Sequence, residues 1–257
     1  MTTRKRATLI TAGAVGLSSA VPALSSAPEV SVTSTLVSDY VFRGHRLGGA
    51  SVLPAVEVSA GGLIAGLSSR IPVEGPGRNE PGAELDLYAS KGFTPAAAVR
   101  LTAGFSVYVF REVAVNSGYR RTLSEPNLAL SYTLAGIRFT SSCYYDLSRK
   151  GPTFELVADV ALALTKLGTE LDLAATIGGY RLREATDVGT SSTRIGGGYW
   201  SLAAFLPYQI TSASKIQIGL TYSAAFDSYI QQAATPRTTH PLSTRRVALK
   251  LGYSISF

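Results

Sequence analysis

The stretch Arg246–Phe257, RVALKLGYSISF, decides the fold because its apolar and polar residues alternate without a break. One parity carries Val247, Leu249, Leu251, Tyr253, Ile255 and Phe257, and the other carries Arg246, Ala248, Lys250, Gly252, Ser254 and Ser256. Successive side chains of a β-strand point to opposite faces, so this stretch predicts a strand with one apolar and one polar face.

The same period of two recurs along the chain and predicts about twelve strands. They fall at about 30–42, 51–59, 62–71, 83–90, 99–110, 127–134, 137–146, 153–163, 169–180, 199–206, 214–226 and 246–257. The connections tend to alternate between short turns, such as 60–61, and long loops, such as 181–198 and 227–245. We therefore predict an all-β fold, an up-and-down antiparallel transmembrane β-barrel.

Alternation alone does not show which face is turned outward, since a soluble barrel or sandwich also alternates, with its apolar side inside. Lipid on the outside is favoured by Phe257, which ends the chain at the close of a strand and which we interpret as an assembly signal. It is also favoured by aromatic residues near the strand ends, where membrane barrels carry their aromatic girdles. We assign Tyr40, Phe42, Tyr108, Phe110, Tyr144, Tyr145, Tyr180, Tyr199, Trp200 and Phe226 to the girdle at the long loops.

The composition excludes several classes of protein. Charged residues make up 16% of the 257 residues, against about 25% in an ordinary soluble domain. Cys143 is the one cysteine, so an internal disulfide framework is excluded. No catalytic or metal-binding motif is found, and we expect no enzyme activity, no metal and no cofactor.

Residues 1–27 are predicted to form a secretory signal peptide, leaving 28–257 as an outer-membrane barrel. Arg4, Lys5 and Arg6 precede an apolar segment, and small residues follow, so cleavage is expected within 23–27. Without the three basic residues the formal net charge falls from +7 to +4, which is too weak and dispersed for a nucleic-acid-binding face.

The polar parity carries charged residues within the predicted strands, and we predict that they line the barrel lumen. They are Arg70, Glu84, Asp86, Arg100, Arg138, Glu155, Asp159, Glu170, Asp172, Lys215 and Lys250. Two interpretations remain open: the charges neutralise one another and fill a narrow barrel, or they line a water-filled passage with an acidic arc at 155–172.

The predicted loops are net basic, through residues such as Arg43, Arg46, Arg149 and Lys150. Such loops at the outer rim would suit the phosphates of an anionic glycolipid, although the charges could equally be only solvated.

Three further features are interpreted as ordinary loop residues. His45 and His240 fall in the first and last long loops, and neither lies on a strand near a serine at a catalytic spacing. The run Gly196–Gly198 has no helix after it, so it predicts a flexible loop and no phosphate site.

The residues TLVSDYVFRG at 35–44, followed by PAVEV at 54–58 and GGLIAG at 61–66, resemble the opening of the TorF-like porin family of proteobacteria. The segment ELDLYA at 84–89 is similar to that family's third block, whereas 100–111 lacks the usual tyrosine-rich run. The resemblance covers about residues 34–90. It implies an outer-membrane barrel and gives no set of functional residues.

Taken with the alternation, these observations predict a small porin-like channel for polar solutes or ions in the bacterial outer membrane. The alternatives are a non-conducting barrel with a structural or surface-binding role and, less favoured, an outer-membrane lipid-modifying enzyme.

Overall fold

The computed structural model describes residues 28–74, 82–111, 121–185, 192–226 and 245–257. The predicted signal peptide and His240 lie outside these residues. Across the described ranges, no helix has the length and apolar character needed to cross a membrane.

The described chain forms strands almost throughout. They are β1 (Glu29–Val37), β2 (Tyr40–Phe42), β3 (His45–Gly48), β4 (Ser51–Ala60), β5 (Leu63–Pro72), β6 (Glu84–Ala96), β7 (Val99–Phe110), β8 (Thr122–Leu134), β9 (Ile137–Asp146), β10 (Gly151–Leu164), β11 (Thr169–Ala185), β12 (Ser192–Gln209), β13 (Ser214–Ala225) and β14 (Arg245–Ser256). All except β2 and β3 join into a closed barrel of antiparallel neighbours, in which β14 pairs with β1. The predicted all-β fold, a twelve-stranded up-and-down barrel, is confirmed.

The two ends of the barrel differ because successive strands run in opposite directions. The connections 61–62, 97–98, 135–136, 165–168 and 210–213 meet at what we call the short-turn end. Gly61 and Gly62 both have positive φ, as a two-residue turn matched to strand twist requires. The other connections meet at the long-loop end.

The burial of alternate residues shows which face is turned outward. On β14, Leu249 is 59% exposed and Leu251 51%, whereas the intervening parity contains Ala248, which is 1% exposed, and the buried Ser254. The outer surface of the barrel is therefore apolar and its interior is polar, the reverse of a soluble barrel. A continuous apolar surface of this extent marks contact with lipid.

Two strands begin earlier than the sequence predicts, β8 at 122 and β12 at 192. The interpretation of Gly196–Gly198 as a loop is wrong, because Gly196 pairs with Arg181 and Gly198 with Gly179 on β11. Backbone hydrogen bonds to β11 hold these glycines in the sheet, although apolar and polar residues do not alternate in this segment. The connection from β11 to β12 is accordingly limited to 186–191.

The first predicted strand, 30–42, is also wrong at its end. β1 stops at Val37, which pairs with Ser51 of β4. The chain between them forms a separate two-stranded sheet, β2–β3, whose residues are mostly buried.

Candidate functional site: an inner hairpin in the barrel lumen

The hairpin formed by β2 and β3, residues 40–48, lies inside the barrel at the long-loop end; we call it the inner hairpin. Its two strands are joined by Arg43 and Gly44, which both have positive φ and form a tight two-residue turn. Tyr40, His45 and Leu47 are almost completely buried. The hairpin therefore fills space within the lumen at this end.

An ion pair fastens the tip of the inner hairpin to the barrel wall. Arg43 donates hydrogen bonds of 2.8 and 2.7 Å to the two carboxylate oxygens of Glu125 on β8. The side chains are only 3% and 2% exposed. The guanidinium carbon also lies 4.7 Å from the ring centroid of Phe42 and 4.9 Å from that of Tyr144. Such a bidentate, buried pair fixes the hairpin in one geometry.

On the opposite side, the hairpin approaches β12 and β13 so closely that only glycine fits. A Cβ atom on Gly44 would lie 2.5 Å from Cβ of Tyr199 and 3.0 Å from the carbonyl oxygen of Ala224. Because Arg43 reaches β8 while Gly44 touches β12 and β13, the turn of the hairpin bridges the lumen.

A second contact holds the base of the hairpin against β5. A Cβ on Gly48 would lie 2.6 Å from Nη2 of Arg70, and Arg70 donates a 3.2 Å hydrogen bond to the carbonyl of Leu47. The Arg70 guanidinium carbon also lies 5.0 Å from the ring centroid of Tyr40.

The inner hairpin carries a buried histidine. The rings of His45 and Tyr180 meet edge to face at 6.2 Å. Desolvation by this burial lowers the pKa of His45 to about 4, so the docked hairpin holds the imidazole neutral at pH 7. The prediction of a surface histidine is wrong, because the first loop folds inward.

The aromatic residues assigned to the girdle at the long loops divide into two groups. Tyr145 and Phe226 are exposed, and the half-buried Trp200 packs against Tyr222 with 5.2 Å between the ring centroids. The assignment is wrong for Tyr40, Phe42, Tyr108, Phe110, Tyr144, Tyr180 and Tyr199, which pack inside the barrel. The reason is the inner hairpin, whose apolar side chains need aromatic partners on the wall around them.

The basic-loop prediction is corrected in the same way. Arg43 is not at the outer rim but in the lumen, where it pairs with Glu125 of β8. Arg46 is half-buried and pairs with Asp39 at 2.7 Å.

The residues predicted to line the lumen occur at several levels. Near the inner hairpin, Arg70, Glu84 and Asp86 are buried together at β5 and β6, and Ser68 donates a 3.0 Å hydrogen bond to Asp86. Elsewhere on the lumen wall, Glu155 of β10 accepts a 2.6 Å hydrogen bond from the Tyr199 hydroxyl.

In the short-turn half, the Arg138–Asp159 ion pair is less deeply buried. Arg138 binds Asp159 through hydrogen bonds of 3.0 and 2.6 Å, with side chains 23% and 27% exposed. The carboxylates of Asp172 and Glu170 on β11 attract the ammonium group of Lys215 on β13. The residues of the proposed acidic arc therefore face basic or hydroxyl partners.

Two predicted lumen cations have no acidic partner of this kind among the described residues. The ammonium of Lys250 lies 5.7 Å from the ring centroid of Phe205. Arg100 lies at the short-turn end of β7, over Gly92 of β6. Within the described ranges, no group of three or more His, Cys, Asp or Glu side chains is placed to hold a metal ion.

Comparison with solved structures shows the class of fold. The NanC porin superposes with a TM-score of 0.50 at 13% identity, over 88% of this chain and 98% of that chain. An outer membrane channel from Pseudomonas putida F1 superposes with a TM-score of 0.52 at 14% identity, over 90% of this chain and 94% of that one. No protein-family model and no curated protein matches the sequence. The chain thus has the fold of outer-membrane porins and channels.

Proposed function

We propose that the protein is a porin-like channel of the bacterial outer membrane that passes small polar solutes or ions and is narrowed by its inner hairpin. The observation that carries this proposal is the reversed polarity of the barrel, with exposed leucines outside and charged and hydroxyl side chains inside. A polar lumen within an apolar shell is what a water-filled passage through lipid requires.

The location rests on three supports: the outer apolar surface, the fold shared with outer-membrane channels, and the leader-like sequence of residues 1–27. The resemblance of residues 34–90 to the TorF-like porins agrees with this location. Exposed basic residues at the long-loop end, including Arg121, Arg181 and Arg183, suit contact with the phosphates of an anionic glycolipid.

A second function, a non-conducting barrel, is favoured by one specific observation. The hairpin side chains Tyr40, Arg43 and Leu47 are almost fully buried, so the docked hairpin leaves little room for a solute at this level. The lipid-modifying enzyme is less favoured, because His45 packs against Tyr180 within the lumen, away from the lipid-facing surface.

Removing the inner hairpin distinguishes the first two functions. Val37 and Ser51 are already paired in register, so residues 38–50 can be replaced by Asn-Gly, which joins β1 to β4 through a two-residue turn. Single-channel recording in planar bilayers should show small or intermittent currents for the wild type and larger, steady currents for the shortened barrel.

Both proteins must first be shown to fold, by a shift in gel mobility before and after boiling. If both insert and neither conducts, the channel function is refuted and the non-conducting barrel is supported. Recovery of the wild type as a soluble periplasmic protein would refute the membrane location itself.

A further inference from the structure

The basic side chains of the lumen differ in whether a carboxylate faces them. Arg43 pairs with Glu125, and Arg138 pairs with Asp159. Arg100 has neither an ion pair nor a hydrogen-bond acceptor in the described part of the chain, and its Nε is buried. A guanidinium whose Nε is buried and which has no acceptor among these residues is costly to hold against the wall, and it points to a partner that enters from the lumen.

Arg100 is held in a fitted position on the wall. The residue is 9% exposed, and its guanidinium lies over Gly92 on the neighbouring strand. A Cβ at Gly92 would come within 2.7 Å of the guanidinium carbon. The glycine therefore provides the space that keeps the side chain along the wall.

A second arginine stands nearby and adds to the positive potential. The positive charges of Arg138 on β9 and Arg100 repel each other. Asp159 pairs with Arg138 and so neutralises only that arginine. The three side chains together carry one net positive charge. Like charges held near each other in a partly buried site are stabilised by an anion between them.

Two hydroxyl groups lie in the same row of the sheet as Arg100. Arg100 pairs in register with Ser131, and Ser131 pairs with Thr140. The hydroxyl oxygens of Ser131 and Thr140 are 2.9 Å apart. One hydroxyl donates to the other, so the accepting hydroxyl keeps its own hydrogen for a further acceptor.

We propose that Arg100, together with Arg138 and the Ser131–Thr140 hydroxyl pair, forms a subsite that binds the oxyanion group of a small solute, a carboxylate or a phosphate, near the short-turn end of the lumen. The planar fork of a guanidinium matches two oxygens of such a group. This inference rests on the proposed channel function and names the class of solute: small organic acids or phosphorylated compounds. The net positive charge of Arg100, Arg138 and Asp159 together would also favour an anion over a cation beside them.

The test uses the folded, detergent-solubilised barrel and titrates inorganic phosphate and acetate at low salt by isothermal titration calorimetry. Arg100→Gln should weaken binding by about 10- to 100-fold, as expected when hydrogen bonds to a charged group are lost. Arg100→Lys keeps the charge but lacks the fork, so it should fall between the wild type and Arg100→Gln. Lys91→Gln is the matched control, because it removes the same charge at the same end but from the exposed outer side of β6.

The two probes separate the carboxylate from the phosphate as the preferred group. Absence of binding by the wild type, or equal binding by the wild type, Arg100→Gln and Arg100→Lys, would overturn the subsite. Equal loss in Lys91→Gln would also overturn it, because a general charge effect would then explain the result.

Reversal potentials across a salt gradient keep this inference distinct from the proposed function. A wild-type barrel that conducts, but whose anion preference is unchanged in Arg100→Gln, leaves the channel intact and contradicts the subsite. A barrel that binds phosphate or acetate through Arg100 but never conducts supports the subsite and contradicts the channel.

Discussion

Replacing Glu125 by glutamine tests whether the Arg43–Glu125 ion pair holds the inner hairpin in the lumen. Both side chains are 3% exposed or less, so Glu125→Gln preserves the shape of the site but removes the carboxylate charge that is paired with the buried Arg43. Removing one partner of a buried pair costs about 3–5 kcal/mol. We expect about 3 kcal/mol, because the glutamine oxygen still accepts one hydrogen bond.

This cost falls on the docked hairpin, because a hairpin released into the mouth of the barrel would let water solvate Arg43. At about 1.4 kcal/mol for each factor of ten, the equilibrium between docked and released hairpin shifts about 100-fold toward release. Trypsin cleavage after Arg46 reports the released population when opening and closing are fast relative to cleavage. Glu125→Gln should therefore be cleaved about 100-fold faster than the wild type, provided that release is still the minor state.

The matched control removes both charges together, as Arg43→Met with Glu125→Leu. Replacing a buried ion pair by apolar residues of similar volume is often neutral or stabilising, so this double variant should be cleaved after Arg46 at close to the wild-type rate. If Glu125→Gln is cleaved no faster than the wild type, the ion pair does not hold the hairpin. If the double variant is cleaved as fast as Glu125→Gln, lost packing and not a stranded charge is the cause.

Three further predictions follow from the same geometry. Burial lowers the pKa of His45 to about 4, against about 6.5 in water. The docked hairpin should thus keep its full stability above pH 6.5 and lose about 3 kcal/mol by pH 4. The open fraction in single-channel recordings should rise as the pH falls over that window. An equal rise in His45→Phe would contradict this explanation. Gly44→Ala should expel the hairpin and enlarge the conductance because of the clash with Tyr199. Gly61→Ala, which has positive φ but open space around it, is the control and should leave the current unchanged. Deletion of Phe257 should lower the amount of folded barrel in the outer membrane, measured by heat-dependent gel mobility, and normal amounts would exclude it as an assembly signal.

The strands could be predicted from the sequence because lipid and water impose opposite demands on successive residues. β7 and β14 alternate over their whole length, and both were located to within a residue of their bounds. Where a strand extends beyond its alternating segment, the period of two is lost and no longer predicts the strand. Ser192–Gly198 has no apolar parity and reads as a loop, although its backbone pairs with β11.

The inner hairpin could not be predicted from alternation, because its side chains are buried on both parities. Two signals were nevertheless present. Gly44, a residue that readily adopts the positive φ of a tight turn, stands between the apolar Phe42 and the nearby Leu47. Tyr108 shares the polar parity of Arg100, which already places its ring inside the barrel and not in a membrane girdle. The ring of Tyr108 packs against Phe42 of the inner hairpin, with 5.9 Å between the ring centroids. This contact joins distant parts of the chain, and no local pattern encodes it.

The glycine and tyrosine content has a physical explanation in the lumen wall, and this explanation bears on whether a passage exists. Large side chains lie flat over glycines of neighbouring strands: Tyr88 over Gly66, Arg100 over Gly92, Tyr199 over Gly178 and Phe205 over Gly219. A Cβ at any of these glycines would collide with the side chain above it, which would then have to project into the lumen. Twelve strands enclose more space than the side chains of such a wall can fill, since even eight-stranded barrels can hold a small ligand. In the short-turn half, then, long side chains cover the wall instead of crossing the lumen. Among the residues that the structure describes, the segment that bridges the lumen is the inner hairpin, so we expect its displacement to decide whether the barrel conducts.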